Sequence, residues 1–389
     1  MKKILCLIVL IILVTGCRYD PYKMPKKVYI NLNENSFNIY EDHFSTELIK
    51  DSNVEILGND KLENSELGEY TYTINYKYKK RKYKYDVKYT VVDKTAPVII
   101  RRANYVTVLA NSNEDLCNKI SYGDNYDPKP SCRIEGDYNT SNVGTYNLEY
   151  VITDSSNNEF RKDFELSVVY RMPASTYSNP EYLYINDIMK YKNDDTSIGI
   201  DVSKWQGNVD FNKVKNAGIE FVIIRIGYES NGEYNLDPKF STYLKQAKEA
   251  GLKIGVYVYT NSVTKEQAKV AANWVIKNLN GEKLDLPVAY DWEDWSNYNG
   301  YGVSLHTFSS AYLEFEDILK KNGYDSMLYS SKYYLENVWL DFENSNVWLA
   351  HYIDQTTYEG KYMLWQMTSS AKIPGITENT VDIDILYKK

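Results

Sequence analysis

Two small all-β modules followed by a β/α barrel is the architecture that the sequence predicts, and three observations predict it. Between residues 27 and 170 apolar and polar residues alternate at the period of a strand, and few helical periods interrupt them. The Gly-led pattern Leu67-Gly68-Glu69-Tyr70-Thr71-Tyr72-Thr73-Ile74 returns one small domain later as Val143-Gly144-Thr145-Tyr146-Asn147-Leu148-Glu149-Tyr150. From Ile198 onward short apolar runs alternate instead with amphipathic stretches, as parallel strand–helix units do.

The chain opens with a targeting pattern. Lys2 and Lys3 precede the apolar run Ile4 to Val14, which is too short to span a bilayer comfortably. The run ends in Val14-Thr15-Gly16-Cys17, which resembles the lipobox of bacterial lipoproteins. That resemblance implies a lipoprotein signal peptide over 1–17 and a diacylated Cys17. It also implies a protein tethered to the membrane on its extracytoplasmic face, facing the cell wall. Two acyl chains hold stably where one holds only marginally. An ordinary signal peptide with an incidental cysteine is the plainer alternative. Residues 18–26, with Pro21 and Pro25, form a short polar tether.

Of 4 cysteines, Cys6 falls in the leader and Cys17 at the anchor, which leaves Cys117 and Cys132. In an exported chain such a pair reads as a local disulfide, contributing on the order of 3 kcal/mol by closing its loop. Two free thiols are the alternative.

Each Gly-led strand is followed by a second alternating segment, Tyr83 to Val92 and Phe160 to Val169. The junction Asp93-Lys94-Thr95-Ala96-Pro97-Val98-Ile99 and the turn Asp154-Ser155-Ser156-Asn157-Asn158 resemble the immunoglobulin-like repeats of bacterial surface proteins. The resemblance implies β-sandwiches over 27–93 and 94–170. The basic run Lys77 to Lys88, interleaved with tyrosines, suits anionic wall polymers or lipid headgroups. More often such a run is the solvated face and turn of a hairpin, where charge blocks edge pairing. Residues 171–197, with Pro173 and Pro180 and only a brief apolar stretch, form a linker with at most one helical turn.

Over 198–389 the apolar runs Phe221 to Ile226, Lys253 to Tyr259 and Leu286 to Asp291 are followed in turn by helical patterns. These helices are Lys239 to Ala250, Lys265 to Leu279 and Leu305 to Lys321. Further strands are expected at Met327 to Tyr329, Val347 to His351, Met363 to Met367 and Val381 to Leu386. About eight strands in alternation imply a parallel, TIM-like α/β barrel with its active site at the C-terminal ends of the strands.

Composition narrows the function classes. Hydrophobic content of 43% with 25% charged residues is that of a folded chain, and 389 residues suggest two or three domains. A formal charge of -8 argues against a general nucleic-acid binder, which needs a basic face. The 39 tyrosines suit strands and sugar-stacking surfaces alike. Zinc peptidase or amidase chemistry needs ligand clusters or a Cys–His pair, and His43, His306 and His351 lie in separate segments. No G-x-S-x-G elbow or phosphate-binding Gly loop appears. Neither a cofactor nor a metal is expected.

Acids recur at the ends of the apolar runs: Asp201 after Gly199-Ile200, Asp291 and Glu293 after Val288-Ala289-Tyr290, and Asp382 and Asp384 in Val381-Asp382-Ile383-Asp384. Two positions apart on a strand, Asp291 and Glu293 point to one face. Splitting a glycosidic bond needs one protonated carboxyl at the leaving oxygen and a second group to stabilise the charge on the sugar. Mutual repulsion of neighbouring acids raises the pKa of one of them. An isolated D-x-E is more often an idle surface pair, but the apolar strand before it and the flanking Trp292 and Trp295 favour a site.

Six segments in order carry a more specific resemblance. They are Gly199-Ile200-Asp201-Val202-Ser203-Lys204-Trp205-Gln206-Gly207, Phe221-Val222-Ile223-Ile224-Arg225, Gly255-Val256-Tyr257, Asp291-Trp292-Glu293, Trp348-Leu349-Ala350-His351-Tyr352 and Leu364-Trp365-Gln366. Residues 198–389 thereby resemble glycoside hydrolase family 25, the Chalaropsis-type lysozymes or muramidases. The resemblance implies a lysozyme that cuts peptidoglycan glycan strands between N-acetylmuramic acid and N-acetylglucosamine. Glu293 matches the general acid, and Asp291 matches the partner carboxylate that orients the acetamido group or stabilises the oxocarbenium. Asp201 and Asp382 match the accompanying acids, with Asp384 a competitor to Asp382. Trp205, Tyr257, Tyr259, Tyr352, Trp365 and Gln366 are expected to line the sugar groove. Val258 stands where the family often has His or an aromatic, which puts groove shape in question. A monomer acting on the wall is the leading expectation, and a surface lipoprotein that binds peptidoglycan without turnover is the alternative.

Overall fold

The computed structural model describes residues 28–32, 54–59, 66–174, 181–340 and 342–388. The expected signal peptide, Cys17 and the tether lie outside the described residues, as does part of the expected linker. The chain divides into two compact units, Met1–Lys94 and Thr95–Lys389.

In the first unit β1 (Val28–Asn31), β2 (Val54–Asn59), β3 (Gly68–Tyr78) and β4 (Arg81–Val92) form a sheet in the order β1-β4-β3-β2. Alternation sends Tyr72, Ile74 and Tyr76 of β3 and Val87, Tyr89 and Val91 of β4 into one buried face. The basic run forms the turn and outward positions of the β3–β4 hairpin. Lys79 takes a left-handed φ of 56° at the turn, and Lys77 pairs with Glu55 on the neighbouring strand at 2.8 Å.

The second unit begins with a module of the same plan. Its strands are β5 (Val98–Arg101), β6 (Tyr105–Leu109), β7 (Ser121–Gly123), β8 (Ser131–Glu135), β9 (Gly144–Thr153) and β10 (Glu159–Val169). The four-stranded sheet runs β6-β10-β9-β8, with β6 parallel to β10 as β1 is to β4. The sequence repeat is therefore a repeat of topology. Tyr150, Ile152, Phe164 and Leu166 form its core, and Cys117 is disulfide-bonded to Cys132. The pair β5–β7 joins two cores, with Ile99 packed into this module's core while the pair also meets the rest of the unit. Ile100 is buried in the barrel's outer core, Leu305 N donates to Asp124 O at 2.7 Å, and Ser121 Oγ donates to Trp295 O at 2.5 Å.

The segment expected as a linker contributes structure: β11 (Leu183–Tyr184), the helix Ile185–Met189, and the start of β12 (Thr196–Val202). The remaining strands are β13 (Phe221–Ser230), β14 (Glu233–Leu236), β15 (Lys253–Tyr259), β16 (Val288–Asp291), β17 (Ser326–Ser331), β18 (Asn346–Ala350), β19 (Leu364–Lys372) and β20 (Val381–Tyr387). Strands β12, β13 and β15 to β20 close into an eight-stranded ring, with β11 and β14 attached outside it. Neighbours from β12 through β19 are parallel. The expectation of an all-parallel barrel needs one correction: β20 runs antiparallel to both β19 and β12. The connection Ile373 to Thr380 holds no helix, so the chain turns straight back instead of crossing over.

Helices Phe240–Glu249, Lys265–Leu279 and Leu305–Lys321 cover the ring. Thr264 and Gln267 form a capping box on the second, and Ser304 caps the third. Between ring and helices lies the main core, whereas a smaller cluster including Phe221, Ile223, Ala289, Met327 and Leu364 fills the ring itself. Residues on alternate positions of each strand therefore face two different environments, and that parity places the site.

Candidate active site

Seven strands end at one mouth of the ring, and β20 begins there. Asp291 is the last residue of β16, and the chain then leaves the strand. Glu293 consequently stands on the loop beyond, a correction to the expectation that one strand carries both acids. Parity still orders the segment. Ala289 lies inside the ring, while Tyr290 and Trp292 pack outward against the helices. Trp292 and Trp295 are both buried, their rings 4.6 Å apart, with Phe308 4.7 Å from Trp292. The flanking tryptophans thus anchor the loop that carries Glu293 and form no exposed platform.

Asp291 is 6% exposed, and its Oδ1 has no hydrogen-bond partner. Burial pushes its carboxyl well above the usual carboxylate range. The charge of Glu293 and a hydrogen bond between the two side chains push the same way, and Arg225 pulls back. Glu293 itself is exposed and lines a cavity of about 620 Å³. The cavity runs past Tyr329 and Tyr352 to Lys332, Tyr333 and Tyr334 on the short helix Lys332–Asn337.

A second acid group faces the pair across the ring. Asp201 of β12 and Asp382 of β20 are register partners, and their carboxyls share a hydrogen bond. Gln366 Nε2 donates to Asp201 Oδ2 at 2.8 Å, and its Oε1 accepts from Tyr329 and Tyr352 hydroxyls, each at 2.8 Å. Burial lifts Asp201 well above its ordinary range, with the charges of Asp382 and Asp384 adding to it. Asp382 is pushed up to about 6, chiefly by burial, while its hydrogen bond with Asp201 holds it down. Asp384 is fully buried one step deeper and accepts from Trp348 Nε1 at 2.8 Å. Asp382 is the more accessible of the two.

The aromatic expectations divide. Tyr257 lies inside the ring, and burial raises its pKa well above the tyrosine range, with Asp201 and Asp291 adding to it. Tyr259 is the register partner of Asp291 and is pushed up to about 12 by burial and by the charges of Asp291 and Glu293. Tyr352 is 56% exposed at the cavity rim. Trp205 is 63% exposed on the short turn after β12, with Lys204 Nζ 4.8 Å above its ring. Trp365 does not line the groove. It has the opposite parity to Gln366, is 3% exposed in the outer core, and donates from Nε1 to His351 O at 2.8 Å. Val258 likewise points outward and is fully buried, so the departure from the family pattern there does not touch the groove.

Two residues of the site carried too weak a signal in the sequence to be singled out. Tyr329 is the register partner of Asp291 and holds Gln366, yet a tyrosine ending an apolar run is common in this chain. Arg225 lies near enough to Asp291 to lower its pKa. It is held by Asp237, which accepts from Arg225 Nε at 2.8 Å and pairs with its terminal guanidinium nitrogen at 2.7 Å. A lone cation inside the run Phe221 to Ile226 was the available clue.

Chemically, the mouth presents one solvent-facing carboxyl on an open groove, a buried neighbour that favours the neutral form, and an acid pair tied to a glutamine and two tyrosines. Such a constellation suits proton transfer to, and charge stabilisation of, a polar substrate.

Residues 200–376 match the model of the family described as Glycosyl hydrolases family 25. An autolytic lysozyme of Clostridium acetobutylicum is 31% identical over 190 residues, which cover 48% of this chain and 54% of that protein. The protein YegX of Escherichia coli is 27% identical over 195 residues, 48% of this chain and 68% of its own length. The chain thus spans about half the length of the Clostridium relative and about two thirds of the Escherichia one. Among solved structures, a family 25 glycosyl hydrolase from Bacillus anthracis superposes with a TM-score of 0.45 at 18% identity, over 56% of this chain and 96% of that one. Asp201, Asp291 and Glu293 thus lie within the stretch that matches the Glycosyl hydrolases family 25 model, and Asp382 lies just beyond it.

Proposed function

We propose that this protein is a lysozyme, an N-acetylmuramidase that hydrolyses the bond between N-acetylmuramic acid and N-acetylglucosamine in peptidoglycan during wall catabolism or remodelling. The observation that carries this reading is the pairing of buried Asp291 with exposed Glu293 at an open, tyrosine-rich groove, within a family 25 domain. The similarity to an autolytic lysozyme of Clostridium acetobutylicum supports it.

Glu293 donates the proton to the glycosidic oxygen, because it is the carboxyl that reaches the groove. Asp291 is the partner acid, acting on the acetamido group or on the developing oxocarbenium charge. Asp201 and Asp382 hold sugar hydroxyls, with Gln366 and Tyr329 fixing Asp201 in place. Trp205, Tyr257, Tyr259 and Tyr352 offer surfaces along the glycan.

The supporting architecture belongs to the same proposal. The β-modules are immunoglobulin-like spacers, the ring is a TIM-like barrel with its last strand reversed, and the protein acts as a monomer. Cys17 carries a lipid anchor at the extracytoplasmic face of the membrane, supported by the charged and apolar leader before it.

In a gel containing wall material the protein should produce clearing that Glu293→Gln abolishes. Mass spectrometry of digested peptidoglycan should find muramic acid at the new reducing ends. Glucosamine at those ends, or equal clearing by Glu293→Gln, overturns the reading. Fractionation of cells expressing Cys17→Ala tests the anchor, since unchanged membrane retention removes it.

A further inference from the structure

The cavity beside Glu293 does not end on the barrel alone. Its far wall is the helix Lys332–Asn337, and the second β-module reaches that helix through β5. Tyr333 donates its hydroxyl to the Ile99 carbonyl, and the Arg102 guanidinium lies 4.4 Å over the Tyr333 ring. Arg101 is the register partner of Ser121, whose hydroxyl holds the Trp295 carbonyl at 2.5 Å. Trp295 in turn stacks on Tyr334 at 3.8 Å, and Arg101 is close enough to Tyr334 for its charge to act on the phenol. Trp295, Tyr333 and Tyr334 all line the cavity. The module therefore braces that wall and sets Arg102 against Tyr333 and Arg101 near Tyr334, directly behind two of its lining residues.

The charge there is unbalanced. Arg101 and Arg102 are exposed, and among the described residues neither has a carboxylate within ion-pair distance. Lys332, also on the wall, is offset by Glu336 at 3.5 Å. Arg101 and Arg102 thus form a cationic spot beside the wall of a cavity that Glu293 also lines, on a chain whose formal charge is -8. Sugar hydroxyls and acetamido groups alone give no reason for two guanidinium groups without a carboxylate partner at that place. An anionic substituent on the glycan does, since guanidinium binds carboxylate and phosphate through paired hydrogen bonds.

We infer that the second β-module is part of the substrate site, with Arg101 and Arg102 forming a subsite for a carboxylate or phosphate borne by the glycan strand. This rests on the muramidase reading for the identity of the strand but not for the existence of the subsite. The carboxylates of peptides attached to the sugar and the phosphates of an attached wall polymer share this chemistry.

The test uses the full chain and its double variant Arg101→Ala/Arg102→Ala on three substrates: glycan bearing peptides, the same glycan stripped of peptides with its freed lactyl carboxyls converted to neutral amides, and glycan bearing both peptides and phosphate polymer. The expected result is that the preference in kcat/KM for anionic over stripped glycan falls about tenfold in the variant, the scale of a lost charge-assisted contact. Arg101→Lys/Arg102→Lys should recover part of it. A preference lost on peptide-bearing glycan assigns the carboxylate, and one lost only with polymer present assigns the phosphate. An unchanged preference, or an equal loss on all three substrates, overturns the subsite. Binding of peptide-bearing fragments to Glu293→Gln, with and without the arginine changes, separates the two readings. Arginine-dependent binding by a protein that hydrolyses none of the substrates keeps the subsite and removes the muramidase.

Discussion

The two acid groups at the barrel mouth are built on opposite principles. Asp291 and Glu293 follow one another on a single chain segment, the first buried and the second exposed, with Arg225 the cation that tempers Asp291. Asp201 and Asp382 come from the first and last strands of the ring and meet as register partners, with a glutamine amide donating to Asp201. The first arrangement leaves one carboxyl free to meet a substrate. The second spends its hydrogen-bonding capacity on protein groups, which suits positioning better than proton delivery.

Breaking the first group should have the largest effect. Glu293→Gln is expected to lower kcat on peptidoglycan by about 10²–10⁴-fold, the range of a lost general acid, with the melting temperature retained because the side chain is exposed. Asp291→Asn should cost on the order of 10²-fold by the same assay. It should also remove from the pH–rate profile any limb that the buried acid contributes.

Breaking the second group should trade activity for stability. Asp382→Asn is expected to reduce kcat/KM by roughly tenfold, a positioning effect. The pH dependence of stability gives a sharper contrast. Asp382 has a folded pKa of about 6 against an ordinary value of 3.8. Below the lower value folded and unfolded chains both hold the proton; between the two values only the folded chain does. Its contribution to stability is therefore full in acid and is lost as pH rises through about 6. Thermal melts should show the wild type losing stability from pH 5 to pH 7.5, and Asp382→Asn should flatten that loss, gaining about 1–2 kcal/mol at the higher pH. A steeper decline in the variant would contradict the raised pKa of Asp382.

The smallest effect is expected at the rim. Tyr352→Phe removes one of two hydroxyls on Gln366 Oε1 and should raise KM about two- to fivefold with little change in melting, measured on soluble glycan.

Much of this organisation is written in local patterns. Helices Lys265–Leu279 and Leu305–Lys321 are bounded where their apolar periods begin and end, because Thr264 and Ser304 cap them. The acids were visible as charges interrupting apolar runs. What local pattern does not carry is parity at the mouth. Trp365 and Gln366 are adjacent, and only closure of the ring decides that the glutamine faces in and the indole out. Val258 is the same case, one residue from two inward tyrosines. Nor does any periodicity distinguish β20 as antiparallel, since a strand reads the same in both directions. The contact of Ile99 and Arg102 with Tyr333 joins residues more than two hundred positions apart, which no local pattern encodes.

The reversed last strand has a consequence for how the molecule assembles. Thr196 pairs with Tyr387 and Asp201 with Asp382, so the ring is locked by segments from opposite ends of its own sequence. Such pairings carry the highest loop-closure cost and form late. A chain stalled or cleaved before Val381 would keep its helices and most of its parallel sheet but present β12 and β19 as bare edges. It would lack Asp382 and be prone to pair with its own kind, so clearance of incomplete chains and loss of activity should go together.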